Sequence, residues 1–242
     1  MGNGRWIYQI PSGYNGLRIR TNTYSNGTNA ITVKFWNFHL SKGNVIVPYS
    51  SQIIDCSGYG NHGTYSATFN PSFNSPRYKN CAIFENNKYI SIPSRSYEGM
   101  KNSYTFSYWA KHGTNTAMDG KMIWGFHDGG YLDVYPTGGY LTWNTGDGAS
   151  NPFMNNSTNV SYPTDGLWHH YAITGDGSQV LLYIDGEYKG KAKTYKSMPN
   201  SGTLFLSGWN ASENGYRWNG GQTSDFRLYA TALSAAAVKE LY

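Results

Sequence analysis

Paired carboxylates are the usual machinery for cutting glycosidic bonds, one acting as acid and the other as nucleophile or base. A retaining pair sits about 5–5.5 Å apart, a separation that alternate positions of one strand supply because they share a face. The chain has five glutamates, Glu85, Glu98, Glu187, Glu213 and Glu240, and no two lie close enough in sequence to make that array. It has no Gly-x-Ser-x-Gly elbow for a serine nucleophile. His169-His170 invites a metal reading, but strand neighbours point to opposite faces and cannot share an ion. His127 and Asp128 with Asp133 lack the spacing of a zinc set. These residues predict a protein that is not an enzyme.

Binding chemistry is better represented. Apolar sugar faces stack on flat rings, and amide side chains take up the hydroxyls. The candidates for carbohydrate contact are Trp209 with Asn210, Tyr216 with Arg217, Trp143 with Asn144, and Tyr131 beside Gly129-Gly130. Trp209 and Tyr216 stand in a stretch rich in Gly, Asn and Ser and are the preferred pair. The 22 Tyr, 8 Trp and 10 Phe total 40 rings, so most must be core or scaffold. Trp218 is assigned to the core.

Composition narrows the class. Aromatics reach 17% and charged residues only 14% of the 242 residues, against roughly 25% charged in an average domain. So many rings exclude disorder, and a charge-poor surface rich in Tyr, Trp and Asn suits a secreted or virion exterior. The net charge of +5 is scattered. Lys189, Lys191, Lys193 and Lys196 form a loose stripe, read as a solvated strand edge rather than a nucleic-acid footprint, with a weak preference for acidic polysaccharide left open. No run approaches the roughly 18 apolar residues of a membrane span, and Met1-Gly2-Asn3-Gly4-Arg5-Trp6 lacks the apolar stretch of a secretory signal. Neither nucleic acid nor membrane insertion is expected. Cys56 and Cys81 are too few for a disulfide framework and are predicted to be unpaired thiols.

Period-two segments punctuated by Gly, Asn, Pro and Asp must position these residues, which predicts an all-β antiparallel sandwich. Strands are expected at 30–38, 88–92, 104–111, 121–126, 169–174, 180–184, 188–192, 203–207 and 222–229, with another at 17–21. Asp185-Gly186 is a strong hairpin signal, since both central positions of that turn want positive φ, and Asp176-Gly177 marks a second turn. The one predicted helix follows Ser234, a good N-cap ahead of Ala235 to Leu241. Residues 1–51 are too short for a sandwich of their own; they are either an N-terminal β extension or the remnant of a preceding module. Residues 52–242 form the main domain.

From Asp55 onward the motifs resemble a known family. They run in order through Asp55-Cys56-Ser57-Gly58-Tyr59-Gly60-Asn61-His62-Gly63-Thr64, Ala82-Ile83-Phe84, Tyr89-Ile90-Ser91-Ile92-Pro93 and Tyr104-Thr105-Phe106-Ser107-Tyr108-Trp109. Asp165-Gly166-Leu167-Trp168-His169-His170-Tyr171, Leu182-Tyr183-Ile184-Asp185-Gly186 and Trp218-Asn219-Gly220-Gly221-Gln222-Thr223-Ser224-Asp225-Phe226 complete the series. Together they resemble the laminin-G-like, concanavalin A-like lectin/glucanase jelly roll, in the variant found in structural proteins of bacterial viruses and in bacterial surface proteins. The resemblance implies a jelly roll whose first and last strands lie side by side, and a structural Ca²⁺ where the first loop meets the last strand. Asp55, Asn61 and Asp225, with the Gly63 carbonyl, match that position, and hard oxygen donors suit the ion. Without a metal, Asp55 would cap its own turn and Asp225 would pair with Arg227 or a backbone donor.

The expectation is a non-catalytic carbohydrate-binding module on a viral tail, fibre or spike, or on a bacterial surface, with a cell-surface glycan or polysaccharide as partner. The alternatives are a structural virion module that binds other virion subunits or oligomerises, and, less favoured, a glycan hydrolase of the same fold.

Overall fold

The structure is a computed structural model that describes residues 52–53, 55, 57, 59–67, 72–75, 79–93, 99–112, 120–126, 132–145, 151–199, 201–212 and 214–242. The expected strands at 17–21 and 30–38, the boundary at 51, and Tyr131, Cys56, His127 and Asp128 lie outside the described residues.

In chain order the strands are β1 (Gln52–Ile53), β2 (Gly63–Tyr65), β3 (Ser72–Ser75), β4 (Lys79–Ile83), β5 (Ile90–Ile92), β6 (Tyr104–Lys111), β7 (Trp124–Phe126) and β8 (Leu132–Thr137). They continue as β9 (Tyr140–Asn144), β10 (Met154–Asn155), β11 (Thr158–Asn159), β12 (Trp168–Gly175), β13 (Val180–Ile184), β14 (Glu187–Lys191), β15 (Leu204–Leu206) and β16 (Gln222–Tyr229), before helix α1 (Ala235–Leu241). Two antiparallel sheets result, a seven-stranded one in the order β1-β2-β5-β15-β7-β8-β9 and a nine-stranded one in the order β11-β10-β14-β13-β12-β6-β16-β4-β3. This is a jelly-roll sandwich with one short C-terminal helix among the described residues. None of the described helices is long and apolar enough to cross a membrane.

The core lies between the sheets and is largely aromatic. Phe106 of β6 stacks on Trp124 of β7 with centroids 4.2 Å apart, and Tyr104 stacks on Trp143 of β9 at 6.4 Å. Each such ring, fully buried, contributes on the order of 1.5–3 kcal/mol, which is how a charge-poor chain holds two sheets together. On the outer face of the large sheet, Val238 of α1 packs on Ala172 and Tyr183, and Tyr242 stacks over Trp109 at 5.6 Å. Ser234 caps that helix by accepting from the Ala237 amide at 3.3 Å.

Turn chemistry sets the register. Asp185 and Gly186 have φ of 54° and 74°, the mirror-image turn their dipeptide demands, and a Cβ at Gly186 would press on Tyr242. A second turn of this kind, Gly138-Gly139 at φ 56° and 81°, joins β8 to β9. In β16 the register slips between Ser224 and Arg227 against β6, and Asp225 sits in the slip at φ 51°, a region Asp tolerates better than most residues. β16 lies between β6 and β4, while β1 and β2 belong to the other sheet. The expected side-by-side placement of the first and last strands is therefore not what this topology provides among the described residues. Cys81 is buried, its Sγ donating to Gln222 Oε1 at 3.7 Å.

Candidate functional site

β15 ends at Leu206, and the next two residues turn the chain out of the sheet. Ser207 has φ 65° and Gly208 φ 131°, the second a conformation open essentially to glycine alone. A Cβ at Gly208 would also collide with the Arg217 guanidinium. Arg217 is 1% exposed, and its Nη1 donates to the Ser207 carbonyl at 2.9 Å while Nη2 donates to the Asn210 carbonyl. Its guanidinium carbon lies 4.4 Å from the centroid of the Tyr89 ring, which is wedged edge-on against Phe205. The Trp218 amide donates to Ser207 Oγ at 3.0 Å. Asn210 Oδ1 accepts from the Ser212 amide at 2.9 Å, and a 3₁₀ turn over Asn214–Tyr216 is tied down by the Met122 amide donating to the Tyr216 carbonyl at 2.9 Å.

This bracing carries two rings at the rim. Trp209 is half-buried and Tyr216 is 42% exposed, with centroids 4.7 Å apart and planes at 41°. Held from behind by a buried cation and several backbone bonds, the pair forms a rigid, open apolar corner beside polar backbone and amides. It can stack a flat, partly apolar ligand without ordering itself on binding.

The other sequence-derived candidates fare differently. Trp143 is fully buried, enclosed by Tyr104, Trp124 and Phe153, so it belongs to the core and not to a sugar site. Asn144 is half-buried at the end of β9, opposite Asp133 in the ladder. Arg217 braces the loop from inside and is no surface ligand, and Asn210 spends its Oδ1 and its carbonyl on the loop itself. Trp218 is fully buried, as assigned. The brace was missed at the sequence level. Gly208 was its one local signal, because Tyr89 lies far away in the chain.

The residues matched to the calcium position have partners within the chain. Asp55 accepts from the Ser57 amide at 2.8 Å, the Ser57 hydroxyl at 2.7 Å and the Asn61 amide at 2.8 Å. Burial works to raise its pKa, and these bonds outweigh burial and hold it below the ordinary value. Asp225 forms a two-pronged ion pair with Arg227 at 2.7 and 2.8 Å, and that bond foremost raises the arginine pKa. Gly63 sits in the β1–β2 ladder against Ile53. Asp55 lies in the loop between β1 and β2 and Asp225 in β16, each already bonded within the chain, and no three His, Cys, Asp or Glu side chains among the described residues are grouped to hold a metal. To serve as Ca²⁺ donors, both carboxylates would have to exchange these partners for the ion.

The two histidines part as expected. His169 Nδ1 meets Asp185 Oδ2 at 2.7 Å and Nε2 meets Asp165 at 3.1 Å; burial depresses its pKa, but the two carboxylates win and raise it. His170 points to the outer face, with Nε2 2.9 Å from Ser107 Oγ.

A family model described as the concanavalin A-like lectin/glucanases superfamily matches residues 84–239. The chain belongs to this superfamily. Among solved structures it is similar to domain 4 of AbnA, an extracellular arabinanase from Geobacillus stearothermophilus, in complex with arabinotriose, with 18% identity and TM-score 0.56 over 74% of this chain and 87% of that one. It is similar also to the receptor-binding domain of a botulinum neurotoxin C/D mosaic serotype, with 15% identity and TM-score 0.54 over 78% and 47%. Trypanosoma rangeli sialidase gives 12% identity and TM-score 0.53 over 74% and 29%. The match thus spans under half of the toxin domain and under a third of the sialidase. At these identities the likeness within the superfamily is one of fold. No curated protein matches the sequence.

Proposed function

We propose that the chain is a non-catalytic carbohydrate-binding module whose glycan contact is the rim loop carrying Trp209 and Tyr216. The observation that carries this reading is the braced, solvent-facing ring pair, 4.7 Å between centroids, in a superfamily named for lectins and glucanases. Domain 4 of the arabinanase, solved with arabinotriose, and the type C neurotoxin, whose cell entry depends on two ganglioside molecules, support a glycan as partner. The non-catalytic part is supported by access. Ser107 and His170 form a nucleophile–base contact, yet they are 2% and 1% exposed beneath Trp109 and Tyr242. The proposed setting, a viral tail, fibre or spike meeting a bacterial surface glycan, rests on the motif resemblance; residues 1–51 are proposed as an N-terminal β extension or the remnant of a preceding module.

Titration calorimetry with arabinotriose and a panel of neutral oligosaccharides tests the reading. Binding is expected for at least one saccharide, with a loss of tenfold or more, about 1.4 kcal/mol, in Trp209→Ala and Tyr216→Ala. Saccharide binding that both variants retain would remove the rim loop from the proposal. Release of reducing ends from any of the saccharides would remove the non-catalytic part.

A further inference from the structure

A groove of about 310 Å³ opens at the end of the large sheet where Gly175 pairs with Tyr104. That is the opposite end from the rim loop, which leads through Trp218 into Gln222, the partner of Lys111. The eight residues of β6 separate the two ends by about 24 Å at 3.4 Å per residue. The volume lies at the lower limit of the roughly 300–1,000 Å³ of small-ligand clefts.

Six residues give the groove its chemistry: Asn156, Ser178, Gln179, Lys191, Lys193 and Tyr195. Tyr195 forms a fixed wall, stacked on Tyr104 at 6.4 Å with its hydroxyl donating to the Asn102 carbonyl at 3.2 Å. Neighbouring lysines are engaged, Lys189 with Glu187 at 2.7 Å and Lys196 with the Thr145 carbonyl at 3.0 Å. Lys191 and Lys193 are exposed and in no salt bridge among the described residues. Among the described residues one carboxylate, Asp176, stands at the same end, in the turn that carries Ser178 and Gln179. It is occupied from below by the Ser178 and Gln179 amides, the Ser178 hydroxyl and the Gln179 side-chain nitrogen. With its donors so directed, Ser178 Oγ and Gln179 Oε1 are left to accept, as sugar hydroxyls require. Among the described residues, the two lining ammonium groups outnumber the one carboxylate beneath them, so the mouth is positive.

We infer that this groove is a second saccharide site, selective for a sugar ring bearing a single negative charge as a carboxylate or a sulfate ester. Lysine suits both anions because it acts as a point charge with rotatable donors rather than a fixed fork, and the Asp176 charge disfavours a dianion such as a phosphate monoester. The site goes beyond the rim loop and does not depend on it.

Trigalacturonate, its methyl ester and galactose 6-sulfate serve as probes, with binding read by amide chemical shifts and calorimetry. Trigalacturonate or the sulfate ester is expected to shift the amides of Ser178, Gln179, Lys191 and Lys193, more weakly as salt rises. The methyl ester is expected to bind at least tenfold more weakly than the acid. Lys191→Gln with Lys193→Gln should cut acid binding at least tenfold at unchanged melting temperature, and Trp209→Ala should leave it intact. Equal binding of acid and ester, no binding of either anion, or acid binding that survives the double variant would overturn the inference. Shifts confined to the Trp209 loop would overturn it too and leave the rim site standing. Arabinotriose binding lost with the groove intact would do the reverse.

Discussion

The dipeptide Trp-Asn occurs four times, and the copies at 143–144 and 209–210 meet opposite fates. Trp143 follows the Gly138-Gly139 turn into a regular strand, whose alternation delivers the ring to the space between the sheets. Trp209 follows two positive-φ residues that end a strand, so its ring leaves the sheet for the rim. The side chain is the same; the backbone two residues upstream decides between core and site. Stability should accordingly reside between the sheets, and recognition on the rim, where rigidity is supplied by Arg217 from behind.

The largest effect should separate the two tryptophans directly. Trp143→Ala leaves a hole among Tyr104, Trp124 and Phe153, and large aromatic truncations of this kind cost about 3–5 kcal/mol. Trp209→Ala should cost under about 1 kcal/mol, since the half-exposed ring leaves no enclosed cavity. Urea denaturation of both variants, paired with saccharide titration, is expected to show stability lost in one and binding lost in the other. Equal stability losses would erase the distinction.

Next in size is an acid effect inside the core. His112 is buried against Tyr162, Tyr171 and Trp218, and neither ring nitrogen has a hydrogen-bond partner among the described residues. Burial foremost pushes its pKa down to about 3. The unfolded chain binds this proton near the ordinary 6.5, so stability should fall as pH drops from 6.5 toward 3. The slope is about 1.4 kcal/mol per pH unit, or about 2 kcal/mol by pH 5. Denaturation at pH 7 and 5 should show this in the wild type and lose it in His112→Phe; an unchanged slope in the variant would assign the acid effect elsewhere.

His169 should show the opposite sign and a smaller amplitude. Its folded pKa is raised, so its contribution is full below about 6.5 and fades as pH rises through the folded value. Replacing it by Gln should flatten stability between pH 6.5 and 8 while leaving the fall below 6.5 in place. A steeper curve there would reverse the assignment.

How far all this was legible depends on locality. β6, β13, β16 and α1 carry long alternating or well-capped segments, and their residues coincide with the expected 104–111, 180–184, 222–229 and the helix after Ser234. The β8–β9 hairpin was overlooked although Gly-Gly between alternating runs is a hairpin signal. Pro136 is tolerated in β8 because pairing with β7 stops at Val134. At the site, Trp209 and Tyr216 could be picked out from their Gly, Asn and Ser surroundings. Arg217 could not, because its role depends on the reversed Ser207 carbonyl and on Tyr89, neither visible from neighbouring sequence.

The smallest expected effect concerns calcium, and it bears on the same division between core and rim. A Ca²⁺ clamp would place stability at the rim: an ion bound only by the folded state at a hundredfold excess over its dissociation constant adds about 2.7 kcal/mol. At about 2–4 °C per kcal/mol for a chain of this size, EDTA would then lower the melting temperature by roughly 5–10 °C. The geometry points the other way. Asp225 is neutralised by Arg227 through two bonds, and Asp55 is filled by Ser57 and Asn61. The expected result is a melting curve unmoved by EDTA or by added Ca²⁺. Asp225→Asn, which keeps a residue tolerant of positive φ, should lower stability by about 1 kcal/mol, by the same amount with and without chelator. A melting temperature that falls with EDTA and recovers with Ca²⁺, in wild type but not in Asp225→Asn, would mean that both carboxylates exchange their present partners for the ion, and that the rim carries stability after all.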